Sequence, residues 1–175
     1  MKYLLKINEL FELKGDISNF EVSDIMKFYM SELESKNELP NYKFISVNKN
    51  NKDVIVVEFG CIDNNKKNYS INFSINGSYD KIKKYPIGEY LNLITLVVHL
   101  IKIFIKKMKP DILELKANSV DKFKIYKKIV TNLKIDFKVT TNFNKITLTK
   151  NSIFGKIKKY LKYDKKNNIF FNTIN

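Results

Sequence analysis

The sequence contains no arginine, no tryptophan and no glutamine, and cysteine, histidine and alanine occur once each. The lone cysteine, Cys61, excludes an internal disulfide and a cysteine-based zinc site. The lone histidine, His99, has no identifiable orienting partner, which argues against a catalytic triad and a histidine-rich metal site. Walker loops, dinucleotide fingerprints and calcium loops are also missing. We therefore expect no metal, and we predict that Cys61 is a small buried residue at a strand end and His99 a structural residue.

The formal net charge is +14, with a pI near 9.6, and lysine supplies all of the basic side chains. Such a charge suggests an acidic partner such as nucleic acid. However, lysine, asparagine, isoleucine, phenylalanine and tyrosine all have codons rich in A and T, so an AT-rich genome alone could raise the lysine content. Arginine, the usual side chain for bidentate contacts to phosphate and guanine, is missing. A solvated lysine surface and a sequence-independent nucleic-acid site both remain open.

The strongest periodic pattern lies in residues 88–109 and predicts a long amphipathic helix. Its polar positions recur every three or four residues and form one narrow stripe, while the residues between them are almost all apolar. A helix with so little polar surface must be covered on most sides, so we predict that it packs on a sheet. The polar stripe consists of Asn92, Thr95, His99, Lys102, Lys106 and Lys109.

A membrane-spanning role for this helix is disfavoured, because its uninterrupted apolar run is shorter than the ~20 residues that a bilayer requires. The first residues are too polar for the core of a signal peptide. The sequence therefore predicts an intracellular protein without a membrane partner, in the host cytoplasm or in a virion if a phage encodes it.

The remaining segments predict a single α+β domain over residues 1–149 with a mostly antiparallel, twisted sheet. The amino-terminal part suggests a strand and then a helix capped by Ser18 or Ser23, with Val22, Ile25, Met26, Tyr29 and Leu33 on its buried face. Alternating and apolar runs predict further strands, and residues 54–57 alternate so little that this strand is expected to be buried on both faces. The predicted strands cover residues 3–13, 42–47, 53–60, 69–76 and 111–117.

A second helix is predicted after Asn118 or Ser119, either of which can cap it. Its expected core face comprises Val120, Phe123, Tyr126, Val130 and Leu133. A hairpin formed by residues 135–140 and 145–149 closes the domain. Glu58 and Glu114 lie in predicted strands and could face a cleft, but no neighbouring motif assigns them a role.

This order of elements resembles the GNAT family of N-acetyltransferases. Active members carry a loop of the form Gln/Arg-x-x-Gly-x-Gly/Ala before the long helix, and the matching residues here are Lys83, Lys84, Tyr85, Pro86, Ile87 and Gly88. The next segment of the family often carries an Asn and then Leu-Tyr, which corresponds to Asn118 and Ile125-Tyr126. The resemblance implies acetyl-CoA as cofactor, with Lys83, Ile87 and Gly88 at its pyrophosphate and Tyr126 as general acid. Tyr126 also falls on the apolar face of its helix, where a core role is the simpler interpretation.

The cofactor loop departs from the family pattern. Pro86 replaces the first glycine, and proline has no N–H to offer a phosphate. The sequence also resembles small GNAT-like proteins of phages and mobile elements, which lack an obvious cofactor loop, and this resemblance implies a phage or mobile element as its source. We therefore expect a non-enzymatic interaction or structural protein that needs no cofactor. An acetyl-CoA-dependent N-acyltransferase and a sequence-independent nucleic-acid-binding protein are the alternatives.

The last segment, residues 150–175, is predicted to be a basic amphipathic arm outside the core. It presents apolar side chains that should not remain in water, which suggests a protein partner or self-association, although the arm could also fold back on the domain. The candidate partner-binding residues are Phe154, Ile157, Lys158, Lys159, Tyr160, Leu161, Phe170 and Phe171.

Overall fold

The computed structural model describes residues 15–29, 39–63, 66–78 and 85–151, and within these it forms one α+β unit. It comprises eight strands and two helices in the described part of the chain. In chain order they are β1 (Phe20–Val22), β2 (Met26–Tyr29), β3 (Pro40–Asn48), β4 (Val54–Cys61), β5 (Asn68–Ile75), α1 (Ile87–Met108), β6 (Ile112–Lys116), α2 (Val120–Leu133), β7 (Phe137–Asn142) and β8 (Lys145–Lys150).

The strands form one mixed sheet in the order β1-β3-β4-β5-β6-β8-β7, with β2 also paired to β3. Each neighbouring pair is antiparallel except β5 and β6, which are parallel. A parallel pair needs a long crossover connection, and α1 provides it. The prediction of an α+β fold with a mostly antiparallel sheet and a long helix packed on it is confirmed.

Both helices cover the same face of the sheet, and the hydrophobic core lies between them and that face. The core residues alternate along each strand, as the two-residue period of a strand requires. Ile55, Val57 and Phe59 of β4 face the helices together with Tyr69, Ile71 and Phe73 of β5. The expectation that residues 54–57 are buried on both faces is wrong, because Val54 and Val56 face away from the helices and are only half-buried.

Helix α1 confirms the predicted 88–109 helix almost residue for residue. It contributes eight buried side chains to the core: Leu93, Ile94, Leu96, Val97, Val98, Leu100, Ile101 and Phe104. It ends at Lys109, which adopts a left-handed backbone conformation, and Pro110 follows. By length and composition α1 could cross a membrane, but the burial of these residues is that of a core helix.

The polar stripe of α1 anchors the amino-terminal segment of the described chain. The backbone N–H of Gly15 donates to Thr95 Oγ1 at 2.9 Å, and that of Asp16 donates to Asn92 Oδ1 at 2.8 Å. A Cβ atom on Gly15 would lie 2.5 Å from the Leu91 carbonyl oxygen, so only glycine allows this approach. The first residues of the stripe therefore hold the amino-terminal segment in place, whereas side chains further along the stripe, such as His99, are exposed.

The predicted amino-terminal helix is wrong, because the segment forms the short strands β1 and β2 along the edge of β3. Ser23, a proposed helix cap, instead pairs with β3: its backbone N–H donates to the Ile45 carbonyl at 2.8 Å, and its Oγ accepts from the Ile45 N–H at 2.9 Å. The spacing of Val22, Ile25 and Met26 fits a helix, but pairing to an existing strand satisfies the backbone groups equally well.

Helix α2 begins at the predicted cap, since Ser119 Oγ accepts from the backbone N–H of Lys122 at 3.2 Å. Its predicted core face is only partly correct. Val120 is 70% exposed, and Phe123 and Val130 are only partly buried. The buried residues are Lys122, Ile125, Tyr126, Ile129 and Leu133. The helix is thus rotated relative to the predicted face.

Several predictions fall outside the described residues. These are the strand at residues 3–13, Lys83 of the loop before α1, and the candidate arm with its eight partner-binding residues (Phe154, Ile157, Lys158, Lys159, Tyr160, Leu161, Phe170 and Phe171).

Candidate functional site

The candidate site lies where the two parallel strands separate. Strands β5 and β6 pair from Asn68 to Ile71 and from Ile112 to Leu115. Beyond these pairs β5 continues to Ile75, whereas β6 ends at Lys116 and the chain turns into α2. The second half of β5 therefore has no neighbour on that side among the described strands, and the sheet has a gap there.

The gap lies beside a groove of about 740 Å³, which we call the inter-strand groove. Asn72, Ser70 and Glu58 line its floor, on the sheet face opposite α1 and α2. Residues at the end of β6, at the start of α2 and at the tip of the β7–β8 hairpin form the wall. The full lining is Phe28, Asn41, Glu58, Gly60, Ser70, Asn72, Lys116, Ala117, Asn118, Lys122 and Asn144.

Tyr126 of α2 lies directly behind this groove, at the gap. Its ring packs edge-on against Phe73, with centroids 5.8 Å apart, and its hydroxyl donates to Asn72 Oδ1 at 3.5 Å. This distance is longer than the ~2.8 Å of an ordinary O–H···O hydrogen bond. Asn72 points to the sheet face opposite the helices, so the hydroxyl of a core tyrosine reaches the groove floor from the helix side. Tyr126 is thus a core residue, as its place on the apolar helix face suggested, and its hydroxyl contacts a residue that lines the groove.

Burial raises the pKa of Tyr126. Desolvation disfavours the phenolate, so the hydroxyl keeps its proton at neutral pH and acts as a hydrogen-bond donor. The hydroxyl proton is directed to Asn72 Oδ1, so Tyr126 orients the Asn72 side chain, which lines the groove.

Lys122 contributes a buried cationic side chain to the groove. It is only 4% exposed, and its Nζ lies 5.8 Å from the centre of the Tyr126 ring, within the range of a cation–π interaction. Lysine is rarely buried to this extent without partners, because desolvation of the ammonium is costly. Its position one turn before Tyr126 follows from the Ser119 cap, which fixes where α2 begins.

The two candidate glutamates separate in the structure. Glu58 lines the inter-strand groove, whereas Glu114 forms an ion pair with Lys145 across β6 and β8, with a nitrogen–oxygen distance of 2.6 Å. Cys61 lies at the end of β4, as predicted, and is half-buried, with its Sγ 3.1 Å from the carbonyl oxygen of Asp63. Neither Glu114 nor Cys61 lines the inter-strand groove.

The proposed pyrophosphate site, the first turn of α1, lies apart from the groove. Ile87 is 81% exposed, and Gly88 has open space where a Cβ would be. Pro86 occupies the N-cap and offers no N–H, and Glu89 places a carboxylate in the first turn. Neither Ile87 nor Gly88 lines the groove. Of the predicted cofactor residues, the two that the structure describes, Ile87 and Gly88, therefore lie outside the groove behind which Tyr126 is buried.

A buried carboxylate fixes the chain just before α1. Asp53 Oδ2 accepts from the Tyr85 hydroxyl at 2.8 Å, and Asp53 Oδ1 accepts from the Asn76 side-chain amide at 2.7 Å. Burial, and next the hydrogen bond to Asp53, raise the pKa of Tyr85. Asn76 in turn accepts from the Val54 backbone N–H at 2.9 Å. This network joins the start of β4, the end of β5 and the residue before the Pro86 cap.

Sequence inspection missed Asn72 and Lys122 as site residues. Asn72 is one of four polar residues on the outward side of β5, and only the gap beside the strand distinguishes it. Lys122 is one of 32 basic residues, and its burial depends on the helix rotation that was predicted incorrectly. Within the described part of the chain, His, Cys, Asp and Glu form no cluster that could hold a metal ion.

Comparison with protein-family models, with curated proteins and with solved structures gives no match for this chain.

Proposed function

We propose that this protein is a non-enzymatic interaction protein built on an acetyltransferase-like scaffold. The observation that carries the proposal is the first turn of α1. A phosphate-binding helix start needs converging backbone N–H groups and a positive local field. Here Pro86 removes one N–H group, Glu89 adds a negative charge, and the turn lies outside the lining of the groove.

The acetyltransferase-like scaffold is supported by the order of elements within the described residues. Three antiparallel strands lead to a long helix, a strand, a second helix and a hairpin, as the sequence resemblance implies. The inter-strand groove beside the parallel pair then provides a surface for a partner. Its amide side chains, on Asn72, Asn118 and Asn144, can form hydrogen bonds with a neutral polar chain such as a peptide.

We further propose that residues 150–175 form a docking arm for a second copy of the chain or another protein. Strand β8, the last described element, lies inside the sheet between β6 and β7, and Leu148 is the last of the described core residues. The described strands therefore form a continuous sheet without any residue of 152–175.

Truncation after Lys150 tests this proposal. We expect the shortened chain to keep its circular dichroism spectrum and its melting temperature to within a few degrees, because the described core is intact. We also expect self-association, measured by sedimentation velocity on the full chain, to be lost. Full-length chains with Ile157 and Leu161 replaced by Asp should behave like the truncated chain, whereas replacement of Lys158 and Lys159 by Gln should preserve association.

The arm proposal is wrong if the full chain is monomeric and truncation unfolds it or lowers its thermal stability strongly. That result would place the arm in the core.

An acyltransferase activity is the second candidate, and the position of Tyr126 favours it. Its hydroxyl contacts Asn72 of the groove floor where the parallel strands separate, and Tyr126 is the residue that the resemblance assigns as general acid. Such an enzyme would have to bind its cofactor without the usual loop, through the amides of Ile87 and Gly88.

A further inference from the structure

Seven exposed lysines lie on the outward side of the two helices, which is the side opposite the sheet. Helix α1 and its C-cap supply four of them, and α2 supplies three. We call this surface the basic helix face, and its residues are Lys102, Lys106, Lys107, Lys109, Lys124, Lys127 and Lys128. The two helices contain only two acidic residues, Glu89 and Asp121, each in a first turn.

The α1 lysines form a row in the last two turns of the helix and its C-cap, far along the helix from its acidic residue, Glu89. Lys102 and Lys106 are one turn apart, which separates them by ~6 Å along the helix axis. Within the described residues, none of the four α1 lysines takes part in an ion pair. Like charges at this spacing repel one another. An anion placed along the row would relieve that repulsion.

The α2 lysines lie near the other end of α1. Lys128 Nζ lies 4.8 Å from the centre of the Tyr90 ring of α1, so it bridges the two helices. Lys127 Nζ lies 4.9 Å from the Phe123 ring, and Lys124 pairs with the exposed Asp121 at 3.6 Å. Tyr90 lies 12 residues before Lys102, which is ~18 Å along the helix axis. The two sets of ammonium groups are therefore two patches on the same side of the helices, close enough for one duplex of about 20 base pairs to span both.

We propose that the basic helix face binds the phosphate backbone of nucleic acid without reading its sequence. Lysine interacts with phosphate as a point charge and lacks the planar fork with which arginine recognises guanine. An anionic membrane surface would also attract lysines, but it requires apolar side chains next to them. Among the described residues, the exposed large apolar side chains on the helices are Ile87 and Val120, in the first turns and away from the α1 lysine row.

This inference is independent of the proposed interaction function. The groove opens on the sheet face opposite the helices, so a nucleic acid on the basic helix face would leave it accessible. Substitutions that abolish nucleic-acid binding at the basic helix face should therefore leave partner binding at the inter-strand groove intact, and the reverse should also hold.

The test uses the full-length protein and a fluorescent duplex DNA of about 20 base pairs with arbitrary sequence, followed by fluorescence anisotropy across a salt series. One variant replaces Lys102, Lys106, Lys124 and Lys127 with Gln. A control variant makes the same charge change in lysines outside the helices, at Lys49, Lys52, Lys67 and Lys138. Circular dichroism verifies that both variants are folded.

We expect the helix variant to bind at least about tenfold more weakly than the unmodified protein near 0.1 M salt. The slope of log K against log salt should fall in magnitude by about 3 to 4, because four phosphate contacts are lost. The control variant should keep most of the affinity and the slope. Equal losses in both variants, binding that salt barely affects, or binding to phosphatidylserine vesicles with none to DNA would each overturn the proposal.

Discussion

Replacement of Phe104 by Ala is expected to cost ~3–5 kcal/mol of unfolding free energy, the largest effect of any single substitution considered for this fold. Phe104 is fully buried and stacks on Phe59, with ring centroids 3.8 Å apart and planes 6° apart. It also packs edge-on against Tyr42 and Tyr69, at 5.8 and 5.0 Å. The substitution removes these contacts and leaves a cavity between α1 and the sheet. Urea unfolding followed by circular dichroism measures the loss.

Phe143 provides a matched control, because it is the same residue type and is 95% exposed at the tip of the β7–β8 hairpin. Its replacement by Ala should change the unfolding free energy by less than ~0.5 kcal/mol. Equal urea midpoints for the two variants would show that α1 does not pack on the sheet through this aromatic cluster.

Replacement of Asp53 by Ala should destabilise the protein by ~2–4 kcal/mol, and the effect should concentrate at the start of α1. The carboxylate is buried and accepts hydrogen bonds from Tyr85 and Asn76. Alanine removes the shared acceptor of the half-buried Tyr85 hydroxyl and of the Asn76 amide, and it empties a buried site between β4 and the residue before the Pro86 cap. Urea unfolding gives the total cost, and hydrogen exchange should show faster exchange of the amides in the first turns of α1.

Asp24 is an exposed carboxylate between β1 and β2, and its replacement by Ala serves as the control. A change below ~0.5 kcal/mol is expected there. If Asp53→Ala were as stable as Asp24→Ala, the network would not hold the entrance to α1.

The elements that sequence inspection predicted correctly are those with long or clean periodicity. Helix α1 carries an apolar pattern over 22 residues, and β5 alternates strictly, so each pattern has one structural solution. The closing hairpin was equally recognisable, because a short polar turn separates its two runs of strand-forming residues. Together these features fix the α+β class.

The incorrect predictions concern segments whose local sequence pattern fits two different structures equally well. The segment around Val22 and Met26 is short, and its strand pairing depends on β3, which lies many residues away. In α2, apolar residues occur on two adjoining faces, so the choice of Ile125 and Ile129 over Val120 depends on where the sheet lies. Local propensity cannot decide such cases, because tertiary contacts determine the outcome.

The candidate site was only partly predictable for a related reason. Tyr126 was visible through the resemblance, but the inter-strand groove results from the divergence of β5 and β6, which no local signal encodes. Asn72 and Lys122 become notable only after their strand and helix are placed in space. The lysine surplus was visible from composition, whereas the exposed rows on α1 and α2 required the observed helix orientations.

Isothermal titration calorimetry of the full-length protein with acetyl-CoA tests the central claim most directly, namely that this scaffold works without the cofactor. We predict no saturable binding of acetyl-CoA at millimolar concentration, because the first turn of α1 lacks a set of backbone N–H groups arranged to bind phosphate. Repeating the titration at about 0.3 M salt screens the non-specific electrostatic attraction between the anionic cofactor and surface lysines. Saturable binding with a micromolar Kd that persists at that salt, and weakens when Tyr126 is replaced by Phe, would contradict the claim and establish the acyltransferase alternative.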